Sequence, residues 1–211
     1  YNDKVFVIDH PLAKHKLSLM SDKNTNYQDF RRYLYELASL IVFAVTNKFP
    51  TKQVEIETPL CKGDFPVLAD DKILIVPILR AGLGMENSFH ALIPESKVGH
   101  IGMYRDEETF EPKPYLCKLP DDASECKCIL LDPMLATGVS SAEAIRELRK
   151  EGIKGTIHFA SILATEEGIE HVLSTDDDVV IYTVNIDEGL TDNKYILPGI
   201  GDCGDRVFGT K

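Results

Sequence analysis

The stretch ILLDPMLATGVSSAEAIRELRK, residues 129–150, constrains the fold more than any other. An apolar run ends on Asp132, a short loop carries Thr137, Gly138, Ser140 and Ser141, and an amphipathic helix pattern follows. Such a unit is a buried strand feeding a helix, and the same rhythm recurs along the chain. Apolar or β-branched runs begin at Val54, Ile73, Lys97, Cys128, Gly155 and Val179. Helical patterns over 84–92, 139–151 and 165–173 lie between several of them. Strands alternating with helices at this spacing predict an α/β chain, a doubly wound parallel sheet with helices on both faces. A longer helix is expected after Thr25 and Gln28, whose spacing is that of a capping box, with Phe30, Leu34, Leu37, Ile41, Ala44 and Val45 on its buried face and Pro50 beyond its end.

Two segments break the rhythm. Residues 105–125 are polar, carry three prolines and show no helical period, so a projecting loop or hairpin is expected. Residues 187–211 are crowded with Gly and Asp yet contain Tyr195, Ile196, Leu197, Val207 and Phe208, which argues for an ordered segment. Long irregular segments of this kind are commonly functional. With 211 residues, no internal repeat and no linker, the chain reads as one domain, 1–211.

Composition narrows the function classes. A net charge of −11 argues against a broad nucleic-acid surface, although a few arginines and a helix N-terminus suffice for a small anion. No apolar run approaches the roughly 20 residues of a membrane helix, and the first residues lack a signal-peptide pattern. Five cysteines, odd in number and without a CxxC pair, favour a reduced, cytoplasmic setting. The six histidines show no ligand spacing, so no protein-held metal is expected.

In an open α/β sheet, ligands bind beyond the carboxyl ends of the strands. Asp132 would sit there, an acceptor suited to sugar hydroxyls, followed by a loop whose amides and hydroxyls suit phosphate. Carboxylate first and anion cradle second suggest a sugar-phosphate pocket; the bland alternative is that Ser140 only caps the helix. If Gly138 serves the anion alone, a β-branched residue there should weaken ligand binding without unfolding the protein. Arg80 follows a buried strand and precedes Ala81 and Gly82, small residues that allow close approach of a ligand. It suits phosphate oxygens or, alternatively, a surface ion pair. Arg105 opens the first irregular segment beside Asp106, Glu107 and Glu108, so the same two readings stand. GIGDCG, residues 199–204, matches G-x-G-x-x-G but lies too late in the chain to lead into a βαβ unit. A glycine-rich loop facing a flat ligand fits better, against a loop merely packed by Ile196 and Phe208.

The string LLDPMLATG, together with VPILRAGLGM, VGHIGMYRDEET, KLP and ILPGIGDCGDRVFGTK, resembles the type I phosphoribosyltransferases, and among them the uracil-specific members. The resemblance covers nearly the whole chain. Val139 stands where a second Gly is common, and Cys203 where Ala or Gly is common. The resemblance implies a flap at about 104–125 and a base-binding segment at about 187–211. It implies transfer of phosphoribose from 5-phosphoribosyl 1-pyrophosphate (PRPP) to uracil, giving UMP, or else another base as acceptor or a non-catalytic PRPP sensor. PRPP would meet Arg80, Arg105, Asp132, Pro133, Met134, Leu135, Ala136, Thr137, Gly138, Val139, Ser140 and Asp202. Uracil would meet Ile196, Gly201, Asp202 and Cys203, with Asp132, Asp202 and Arg105 carrying the chemistry. Mg²⁺ would arrive with the pyrophosphate. Relatives are dimers or larger, and GTP activates some.

Overall fold

Successive side chains of the central strands divide between two apolar cores, and that division sets the layers. A computed structural model describes residues 3–69, 72–105 and 112–210, Arg105 through its backbone. The elements begin β1 (Val5–Val7), α1 (Pro11–Ser21), α2 (Tyr27–Thr46), β2 (Thr51–Glu57), β3 (Lys62–Leu68), β4 (Ile73–Leu79) and α3 (Leu83–Leu92). They continue with β5 (Lys97–Val98), β6 (His100–Arg105), β7 (Pro112–Lys118), β8 (Lys127–Leu131), β9 (Met134–Leu135) and α4 (Val139–Lys150). Last come β10 (Ile157–Thr165), α5 (Glu166–Thr175), β11 (Val179–Asp187), β12 (Gly189–Leu190), β13 (Ile196–Leu197) and α6 (Cys203–Phe208).

The main sheet runs β1-β11-β10-β8-β4-β6-β7, parallel from β1 to β6 and antiparallel at β6–β7. Ile73, Ile75, Ile129, Leu131, Ile162 and Val184 point to one face, where α1, α2, α3 and α6 pack. Their neighbours Leu74, Val76, Cys128, Leu130, Phe159 and Ile181 point to the other, against α4 and α5. Strands buried on both faces read as unbroken apolar runs, which is why VPIL and CILL lack polar alternation. Because the strands are parallel, β4, β8, β10 and β11 all end on the same edge.

Three local expectations change. Asn26, one residue after Thr25, caps α2 by accepting from the Asp29 amide at 2.9 Å; Thr25 instead donates to the Leu19 carbonyl at 2.6 Å and closes the α1–α2 turn. The run at Val54 leaves the alternation: β2 pairs only with β3, antiparallel, as a separate two-stranded arm. The Gly- and Asp-rich segment carries the β12–β13 ladder and α6, started by Asp202, which accepts from the Asp205 amide at 2.9 Å.

Candidate active site

After β8 the chain must turn from a buried strand into α4. The Asp132 amide donates to the Ala160 carbonyl at 3.1 Å, and the Pro133 carbonyl accepts from the Ile162 and Leu163 amides, each at 3.0 Å. These bonds hold the loop to the end of β10. The Asp132 carboxylate accepts from the Met134 amide at 3.2 Å, yet burial pushes its pKa up to about 7, against the pull of that N–H. The carboxyl is therefore poised to take up or release a proton near neutrality.

Gly138 starts α4 with φ at 75°, and no side chain caps the helix; Ser140 is exposed and does not serve as its cap. Apart from the Val139 amide, which donates to Thr137 Oγ1 over a long 3.5 Å, no side chain is seen accepting from the amides of the first helical turn among the described residues, an arrangement that favours an anion. Gly138 also has a second task. A Cβ there would stand 2.6 Å from the Gly168 carbonyl oxygen, in a left-handed conformation. The expectation that this glycine serves the anion alone is corrected: a side chain here collides with α5 as well.

Arg80 follows β4 and donates to Asp205 of α6 at 3.3 Å, with its guanidinium 5.9 Å from the Phe208 ring centre. The side chain is 56% exposed, so this bond competes with water and yields readily to a stronger anion. Gly82 has a packing task as well: a Cβ there would lie 2.5 Å from the Leu131 carbonyl oxygen and 2.7 Å from the Ile78 backbone, so the turn after β4 can seat against β4 and β8 only with glycine. The Arg105 side chain and residues 106–111 lie outside the described residues.

The loop after β13 meets the β8–α4 loop across a cleft of about 370 Å³. Met134, Ala136 and Ser140 form one wall, Ile196, Gly201, Asp202 and Cys203 another. Asp132, Pro133, Leu135, Thr137, Gly138, Val139 and Arg80 do not line it. Asp132 nevertheless lies near enough to Cys203 to act on it. Burial first, then the charges of Asp132 and Asp202, push the Cys203 thiol well up, which keeps it protonated and unsuited to nucleophilic attack. A larger groove of about 470 Å³, walled by Phe6, Leu40 and Phe43, shares no residue with these loops.

Ala81 and Gly204, both within segments the sequence singled out, also line the cleft, whereas sequence reasoning missed Lys194 and Tyr195 on its wall. It also missed Thr165, the cap of α5, which accepts from the Gly168 amide at 3.0 Å and donates to the Ala136 carbonyl at 2.6 Å. A Thr between an apolar strand and Glu166-Glu167 was the available signal.

A family model described as uracil phosphoribosyltransferase matches residues 7–210. The chain belongs to that family. It is 54% identical over 208 residues to the uracil phosphoribosyltransferase of Clostridium tetani and 53% identical to that of Clostridium perfringens, covering 99% of each chain. The AQ2163 protein of Aquifex aeolicus superposes with a TM-score of 0.90 at 33% identity, over 98% of this chain and 99% of that one. An adenine phosphoribosyltransferase from Trypanosoma brucei shares the fold at 11% identity, with a TM-score of 0.59 over 90% and 86% of the two chains. Within the uracil phosphoribosyltransferase family frame, the string LLDPMLATG is the strand-to-helix crossing around Asp132, and the string ILPGIGDCG supplies Ile196 and residues 201–204 to the opposite wall of the cleft.

Proposed function

We infer that the chain transfers phosphoribose from PRPP to N1 of uracil: the C1′–N1 bond forms, the N1–H bond and the C1′–O bond to pyrophosphate break, and UMP, pyrophosphate and the N1 proton are released. The observation that carries this reading is the N-terminus of α4, which starts at Gly138 without a side-chain cap from that residue, facing a glycine-rich loop across one cleft, with the half-buried Asp132 carboxylate behind it. Amides of the α4 start hold the 5′-phosphate, helped by Thr137 and Ser140. Asp132 accepts from the ribose hydroxyls, whose donors favour its ionised form. Arg80 exchanges Asp205 for pyrophosphate oxygens, and Arg105 approaches from the flap. Charge that builds on the leaving group is met by fixed donors, and the reactants are held in line, so positioning supplies most of the catalysis. Asp202 stands between base and donor.

Mg²⁺ arriving with PRPP would be bound chiefly by substrate oxygens, as it is on other polyphosphates. It would supply positive charge to offset that of the leaving pyrophosphate, beside Arg80 and Arg105. A homodimer or larger assembly is part of this reading: β2 and β3 form an isolated pair exposing Val54, Ile56 and Phe65, and such pairs are marginal alone.

Base choice tests the reading. Uracil presents two carbonyls flanking an N–H, whereas cytosine reverses two of these three groups. Backbone around Ile196, Gly201 and Cys203 cannot rotate to suit both, and a site built for one pattern rejects the other by about 10⁴-fold or more. Steady-state kinetics at saturating PRPP and Mg²⁺ should show uracil and 5-fluorouracil consumed and cytosine refused. Equal efficiency with cytosine would refute the backbone edge, and PRPP binding without turnover of any base would favour a sensor.

A further inference from the structure

We propose that Asp187 is a positioning residue for the base, setting from the end of β11 the backbone turn that faces the pyrimidine without touching the pyrimidine itself. This rests on the function proposed above. Asp187 is 7% exposed, and each of its carboxylate oxygens has one donor. Oδ1 accepts from Asn185 Nδ2 at 2.6 Å, and Oδ2 accepts from the Gly199 amide at 2.9 Å. A buried carboxylate is tolerated only when its acceptors are used, so the two donors and the carboxylate depend on one another.

The second bond joins the central sheet to the base loop across twelve residues of chain. Gly199 has φ at 64°, and a Cβ there would lie 2.1 Å from the Ile196 carbonyl oxygen. The turn is thus confined to glycine and has no side chain of its own to anchor it. Asp187 anchors it from outside. One residue on, Arg206 donates to the Ile200 carbonyl at 2.8 Å and to the Asp22 carbonyl at 2.7 Å, while its guanidinium lies 4.4 Å from the Phe30 ring centre. In a trans peptide C=O and N–H point in opposite directions, so fixing the Ile200 carbonyl also fixes the Gly201 N–H. Gly201 lines the cleft. Asp187 and Arg206 therefore hold the base-reading backbone at two successive points, and loss of Asp187 leaves it held at one.

The experiment is a comparison of Michaelis constants, which do not depend on the fraction of enzyme that is active. Asp187→Ala should raise KM for uracil about tenfold, the equivalent of one buried hydrogen bond, while KM for PRPP moves less than about twofold. Asp187→Asn should largely restore uracil KM, because its oxygen still accepts from Gly199 and the Asn185 amide can turn to meet its NH₂. Where the alanine variant does not fold, Asp187→Ser gives the same readout, being polar but too short to hold both donors. An unchanged uracil KM in either variant, or uracil and PRPP KM rising together, overturns the role. The wild-type control separates the failures. No wild-type turnover of uracil refutes the functional reading and this role with it; wild-type turnover with an unmoved variant KM refutes this role alone.

Discussion

A carboxyl that titrates near neutrality leaves a signature in stability. The pKa of Asp132 in the folded chain is about 7, above the ordinary 3.8, because burial favours the neutral form. The stability contributed by the neutral form is complete below pH 3.8 and is lost as pH rises to about 7. Asn at this position never ionises. Thermal melts of Asp132→Asn and wild type should therefore diverge in favour of the variant between pH 4 and 7, with a constant gap above; a gap that ignores pH would refute the buried-acid assignment. Gly138 makes a second prediction at this scale. Even Gly138→Ala should lose about 2 kcal/mol or more, since the left-handed conformation and the Gly168 carbonyl both oppose a Cβ. Melting temperature and KM for PRPP should move together, and a variant of normal melting temperature with raised KM would mean that the glycine serves the ligand alone.

At the scale of elements, the site is a set of strand ends braced by helix caps. Thr165 terminates β10, caps α5 and grips the Ala136 carbonyl with one hydroxyl. Thr165→Val keeps the shape and removes both hydroxyl bonds, so about 2 kcal/mol of stability should go, with KM for PRPP rising more than KM for uracil. Equal effects on both constants would show that the cap supports the fold without tuning the loop. The sequence made the buried strands and the helices between them legible, because unbroken apolar runs and a 3.6-residue period are local properties. Asp132 was legible as a strand end and residues 199–204 as a glycine cluster, while the ligand roles came from the resemblance alone. What stayed hidden was cross-chain: Thr165 reaching Ala136, Gly138 making room for α5, and Gly82 making room for the end of β8. The one-residue offset in reading the α2 cap, Thr25 in place of Asn26, arose because Thr and Asn are both good caps and only the α1–α2 turn decides between them.

At the scale of the whole molecule, loops from one edge of the sheet meet α6 only because β4, β8, β10 and β11 run parallel. The site is therefore a property of topology, and its residues come from positions as far apart as Arg80 and Asp205. The same sheet has two outer strands, and an open strand invites another chain to pair with it. β1 is three residues long. β7 is longer, but it carries Pro112 and Pro114, which have no N–H to offer, Lys113 and Lys118 as charges, and a register break opposite Gly102 and Met103 that bends the pair. Pro114→Val should leave the melting temperature within a few degrees and hasten light scattering on prolonged heating; unchanged scattering would mean that this edge is protected by something else. A sheet with an enzyme's loops on one rim must keep its flanks from templating fibrils, and here the residues that make the flap strand irregular are the ones that keep neighbouring molecules apart.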